Sequence, residues 1–142
     1  MDIGCGSWKV SVLIGGELFM KVSYSFTVTG NPEKVFDLII EYFTLTLKFP
    51  YKIKKVTPYP VENIVIPKEI VLERGSRFAS FGGGSIESFK TSLKVTLTLK
   101  MGGQVTVSCN YDIVVYGTPL RSDELKILNE AKSLEKFIKE NM

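Results

Sequence analysis

Two stretches of strict alternation, joined by the residues MGGQ, constrain this chain more than any other feature. In the first, Phe89, Leu93, Val95, Leu97, Leu99 and Met101 share one side, and Lys90, Ser92, Lys94, Thr96, Thr98 and Lys100 the other. In the second, Val105, Val107, Cys109, Tyr111, Ile113 and Val115 oppose Gln104, Thr106, Ser108, Asn110 and Asp112. A period of two marks a strand with one wet face. Facing residues of an antiparallel pair share a side, so their numbers must sum to an even number. A loop of Gly102 and Gly103 alone pairs Met101 with Gln104 and sets apolar against polar throughout. A three-residue loop restores the match, with one glycine at positive φ. If Met101 pairs with Val105, Leu99 meets Val107 and Leu97 meets Cys109, while Lys94 and Asn110 face outward.

The same alternation runs from Lys21 to Val28, with Val22, Tyr24, Phe26 and Val28 on one side. Gly30 breaks that strand, Asn31 is suited to cap a helix and Pro32 to its first turn. Val35, Phe36, Ile39, Tyr42 and Phe43 then recur at helical spacing, which places the helix end between Phe43 and Lys48. Short strands are expected at YKIKKV, VENIVI, KEIVLE and SRFASF, each bounded by proline or glycine. A long helix is expected from Pro119 to Asn141, capped by Thr118 or Ser122. Its stripe is Leu120, Ile127, Leu128, Ala131, Leu134 and Ile138. At 1.5 Å per residue it is ~30 Å long, enough to cross a sheet. Before Met20, the alternation of Trp8, Val10, Val12 and Ile14 reads as an extra strand with a three-residue loop from Gly15 to Glu17. The alternative is a disordered leader.

The glycines Gly82, Gly83 and Gly84 suggest a phosphate loop, but SIESFKTSLKVTLTL follows them and reads as a strand. A phosphate loop needs a helix N-terminus there, with lysine and a hydroxyl following directly. The expectation is a flexible turn between strands, or a gate over a cavity.

At 142 residues the chain is one domain's worth, with enough length to bury a core. No histidine is present, which removes the commonest general base and zinc ligand. Cys5 and Cys109 share no metal-ligand spacing, so neither metal nor cofactor is implied. The net charge of +3 is small and its basic residues are scattered, which argues against a nucleic-acid surface. Lysine and glutamate outweigh arginine among the charged residues, a bias that accompanies life at high temperature. No secretion signal or membrane-length apolar run is visible, so a reduced, cytoplasmic protein without stable membrane insertion is expected.

The stretch MKVSYSFTVTGNPEKVFDLI is similar to the opening of the SRPBCC superfamily: a strand, a cap with proline, and a helix beginning xxVFxxI. START lipid-transfer domains, birch-pollen-allergen relatives and polyketide cyclases belong there. The resemblance covers residues 20–142 and sets residues 1–19 apart as an N-terminal extension. It implies an α+β helix-grip fold, in which a curved seven-stranded antiparallel sheet wraps a long C-terminal helix around an apolar cavity. A solid α+β sandwich is the alternative.

The expected cavity wall comprises Tyr24, Phe26, Phe36, Phe89, Leu93, Leu97, Cys109, Tyr111 and Ile113, with Leu128, Ala131 and Leu134 from the helix; plain core packing is the alternative for each. Arg77, in phase with Ala79 and Phe81, is placed either to receive a ligand carboxylate or to pair with Glu73 or Glu69. The expected partner is a small hydrophobic or amphiphilic ligand such as a fatty acid, lipid or polyketide. Homodimerisation is left open. No catalytic constellation emerges from the spacing. A cyclase-like enzyme would draw on Tyr24, Tyr111, Asp112, Glu73 or Arg77, and a regulatory partner subunit is the third reading.

Overall fold

A computed structural model of the chain describes residues 5–14, 17–58, 67–76, 85–115 and 121–142. Its elements are β1 (Cys5–Ile14), β2 (Glu17–Thr29), α1 (Pro32–Glu41), a π-helical turn (Tyr42–Thr46), β3 (Lys52–Pro58) and β4 (Pro67–Arg74). There follow a 3₁₀ turn (Ile86–Ser88), β5 (Thr91–Lys100), β6 (Gln104–Val115) and α2 (Arg121–Asn141). The strands form one antiparallel sheet in the order β1-β2-β6-β5-β4-β3. Among the described residues there are thus six strands, where seven were expected from Met20 onward with β1 as an addition. VENIVI, the triple glycine and all of SRFASF except Ser76 lie outside the described residues.

The alternating rows decide which face the helices cover. Register sets Val22 opposite Tyr111, Tyr24 opposite Cys109 and Phe26 opposite Val107, and then Leu93 opposite Tyr111 and Leu97 opposite Val107. All of these are buried, and Ile127, Ala131, Leu134 and Ile138 of α2 join them in one cluster. Fully buried side chains such as Leu93, Leu97 and Leu134 contribute roughly 1.5–3 kcal/mol each to burial. The opposite row carries Lys94 and Asn110, which are exposed as expected. A hydrogen bond of 2.5 Å from the Tyr24 hydroxyl to Glu135 Oε1 ties β2 to α2.

The β5–β6 hairpin has the expected face parity and a three-residue loop, placed one residue earlier than expected. In the β1–β2 hairpin the expected parity holds only from Cys5 to Lys9, and the loop differs. Lys100 pairs with Gln104, so the β5–β6 loop is Met101 to Gly103. Leu99 therefore meets Val105, Leu97 meets Val107 and Val95 meets Cys109, each partner two residues from the one read off the sequence. Gly102 at φ 78° and Gly103 at φ 72° take the second and third loop positions, and Met101 takes the first, 95% exposed. At the N-terminus Ile14 pairs with Glu17, not across a three-residue loop. A bulge between Lys9 and Val12 absorbs the odd residue, so Trp8 still comes opposite Val22.

Asn31 caps α1, its Oδ1 accepting from the Glu33 N–H at 2.8 Å, with Pro32 opening the helix. The helix then widens into the π turn, closed by the Leu47 N–H on the Tyr42 carbonyl at 3.2 Å. Widening matters because consecutive residues of an α-helix point about 100° apart. Here Tyr42 and Phe43 are both buried, Tyr42 reaching the Glu130 carbonyl and Phe43 the ring of Tyr51. Such π turns occur frequently at functional sites.

Candidate functional site

A charged group stands on the inner face where the apolar rows end. In β4, Ile70, Leu72 and Arg74 share the inward side, and all three are buried. On α2, Glu130 falls on the stripe of Ile127, Ala131 and Leu134, and it too is buried. Arg74 Nη1 donates to Glu130 Oε1 at 2.6 Å and to the Phe49 carbonyl at 3.0 Å. Tyr51 donates its hydroxyl to Glu130 Oε2 at 2.8 Å, and Tyr42 donates to the Glu130 backbone carbonyl at 2.8 Å. Tyr51 is held by its own N–H on the Phe43 carbonyl at 2.8 Å and by the edge of the Phe43 ring. Its ring lies beneath the guanidinium, 4.2 Å from Arg74 Cζ.

Donors outnumber acceptors in this group. A guanidinium carries five N–H donors, and the two bonds from Nη1 use two of them. Arg74 Nε and Nη2 are buried without a hydrogen-bond partner among the described residues. Together they form the side-on fork that grips a carboxylate with two parallel bonds. The Tyr111 hydroxyl, on β6, is also buried without such a partner.

Burial raises the Glu130 carboxyl above its ordinary range, against the opposing pull of Arg74 and the hydrogen bonds from Tyr51 and Arg74. Burial, and secondarily the Glu130 charge, pushes Tyr42 up to about 12 and holds Tyr51 and Tyr111 well above the usual phenol range. Cys109 is raised for the same two reasons. At neutral pH the cluster is therefore one cation, one carboxyl and several neutral donors. It is suited to holding an acceptor group. Among the described residues no group of three His, Cys, Asp or Glu side chains is placed to hold a metal.

Three clefts meet at Arg74. One of about 240 Å³ lies between α2, the π turn and β4, and is lined by Tyr42, Leu47, Lys48 and Glu130 among others. A second, of about 300 Å³, runs past Phe49, Pro50, Gly75 and Glu87. The third, of about 420 Å³, opens toward Lys52, Lys54 and Lys90.

The residues expected to line a cavity are brought together on the inner face. Tyr24, Phe26, Leu93, Leu97, Cys109, Tyr111, Ile113, Leu128, Ala131 and Leu134 form one buried cluster, with Phe36 and Phe89 packed at its border. None of them lines the three clefts at Arg74. Arg77 lies outside the described residues. Sequence reasoning passed over Arg74 and Glu130, yet both carried a signal. Arg74 continues the row of Ile70 and Leu72 in IVLER, and Glu130 lies three residues beyond Ile127 on the apolar stripe. A charge in phase with core positions marks a buried ion pair or a site.

No protein-family model matches the chain. No curated protein matches it either. Among solved structures, CalU16 from Micromonospora echinospora superposes with a TM-score of 0.58 over 96% of this chain and 82% of that one. At 6% sequence identity this is a likeness of fold alone. The class so defined is an α+β protein with a long C-terminal helix packed on one face of an antiparallel sheet. No described helix is long and apolar enough to cross a membrane.

Proposed function

We propose that this protein binds a small amphiphilic molecule, such as a fatty acid or polyketide-like compound, as a helix-grip protein of the SRPBCC type. The ligand enters through the cleft between α2, the π turn and β4. Its polar end meets Arg74 and the tyrosine hydroxyls. Its apolar part opens the packing between α2 and the sheet to reach the inner wall headed by Tyr24, Phe26, Leu97 and Ala131, which the clefts themselves do not touch. The observation that carries this reading is the buried Arg74, with Nε and Nη2 unpartnered among the described residues beside a cleft. Buried donors without acceptors cost stability unless something accepts from them. Arg77, if it turns inward, would be a second anchor.

A catalytic reading is favoured by one feature. Glu130 is a buried carboxyl of raised pKa, hydrogen-bonded to Tyr51 at a cleft, which suits an acid or base. Chemistry on a bound ligand would then centre on that residue.

Calorimetric titration with laurate and with dodecanol tests the binding reading. Both should bind at micromolar concentration or better, since each buried methylene contributes about 0.8 kcal/mol before the cost of immobilisation. Arg74→Gln should weaken laurate more than dodecanol, and Ala131→Trp should weaken both while the protein still folds. Absence of binding by either amphiphile at millimolar concentration refutes the proposal.

A further inference from the structure

Resting on that reading, we infer that the site takes an anionic head group by an exchange of charge: a ligand carboxylate takes the open fork of Arg74 and its positive charge while Glu130 takes up a proton. The geometry sets up a competition. One guanidinium faces one carboxylate through Nη1, and its side-on fork of Nε and Nη2 has no partner among the described residues. A second carboxylate on that fork would share a single positive charge with Glu130 at close range in a water-poor setting. Two carboxylates so placed cannot both stay ionised, and one takes a proton. The ligand makes the two-pronged contact, whereas Glu130 makes a single one, so Glu130 is the group that yields.

The balance is simple. Ligand carboxylate, ionised Glu130 and one proton from solvent give the ligand carboxylate on Arg74 and a neutral Glu130 acid. No covalent bond between heavy atoms changes. The neutral acid can donate to the incoming group or keep its contact with Tyr51.

The surroundings favour this partition. Tyr51 from the segment before β3, Tyr42 from the π turn, and Tyr111 and Cys109 from β6 stand around Glu130. All four stay neutral across the range in which a carboxyl titrates, so none competes for the proton. The flanking charges that line the 240 Å³ cleft are the exposed Lys48 and Lys126 and the half-buried Glu87, in contrast to the buried Arg74 and Glu130. Burial already lifts Glu130 toward protonation in the free protein.

The sign follows from linkage. Between the pKa of Glu130 in the free protein and its higher value in the complex, binding takes up a proton, and affinity falls as pH rises. The limiting slope is tenfold per pH unit for one proton.

The test is isothermal titration of laurate, with dodecanol as the uncharged control, in two buffers of different ionisation enthalpy between pH 6 and 8. Wild-type protein should take up close to one proton per laurate and none per dodecanol. In Glu130→Gln the uptake should vanish and laurate affinity should become flat with pH, at or above the wild-type value at pH 8. Binding of both amphiphiles without proton uptake by the wild-type protein overturns the exchange and leaves amphiphile binding intact. Binding of neither overturns both. Because the wild-type measurement needs no variant, a failure of Glu130→Gln to fold does not shelter the proposal.

Discussion

Two ion pairs of nearly equal length lie on opposite faces of the sheet. Lys21 Nζ meets Asp112 Oδ1 at 2.7 Å across β2 and β6, with side chains 38% and 46% exposed. Arg74 meets Glu130 at 2.6 Å between β4 and α2, with side chains 2% and 6% exposed. Distance does not tell them apart, but surroundings do. Water and salt screen the outer pair, and losing it exposes two solvated charges at little cost. Around the inner pair water is excluded, so each charge depends on its partner and on the hydrogen bonds from Tyr51 and to Phe49. The outer pair decorates a strand register that the apolar rows already fix. The inner pair places a chemically demanding group where core residues would have been more stable.

The sharpest way to break this comparison is to remove one inner partner. Arg74→Met strands the Glu130 carboxylate and should cost about 3–5 kcal/mol of stability at neutral pH, read from urea unfolding. The deficit should shrink on acidification, because a protonated Glu130 needs no counter-charge. Adding Glu130→Leu to the same chain should recover most of the loss. A single variant as mild as a surface change would mean that the two pairs differ less than their burial implies.

A smaller effect sharpens the inner side. The Glu130 carboxyl titrates higher folded than unfolded, so between those two values the folded chain holds more protons. Stability from this group is fully present below the unfolded pKa and falls as pH rises through the folded one. The difference in stability between wild-type protein and Glu130→Gln, whatever its offset from the stranded Arg74, should therefore shift against the wild type as the pH climbs out of the carboxylate range. Parallel curves from pH 4 to 8 would contradict the raised titration.

The least effect belongs to the outer pair. Lys21→Ala should change stability by less than about 1 kcal/mol, and the change should diminish further in molar salt. A larger, salt-insensitive loss would show that Lys21 and Asp112 are shielded from water.

Much of the fold was legible because alternation and helical spacing report which side of an element faces the core. β2, β5 and β6, the Asn31–Pro32 helix start and the stripe of α2 all follow from those periods. Loop placement was harder. Parity is unchanged when both members of a pair move by one residue in the same direction, so it could not separate Met101 opposite Val105 from Lys100 opposite Gln104. At β1 a bulge restored parity by a route that counting loop residues does not consider. The buried apolar rows came from periodicity, while Arg74 and Glu130 were passed over because charges are ordinarily assigned to water.

The sequence by itself determined which faces are apolar, where α1 begins and that histidine chemistry is absent, since each is a local property of residue type and spacing. Only the tertiary structure decided that Arg74 and Glu130 meet. They stand 56 residues apart, on elements whose separate patterns say nothing of each other. Tyr51 and Phe49 come from a third segment, aimed by a π turn that no periodicity announces. A buried pair is a property of packing: its energy depends on water being excluded from both partners at once, and that condition exists only after the sheet and the helix have closed on one another.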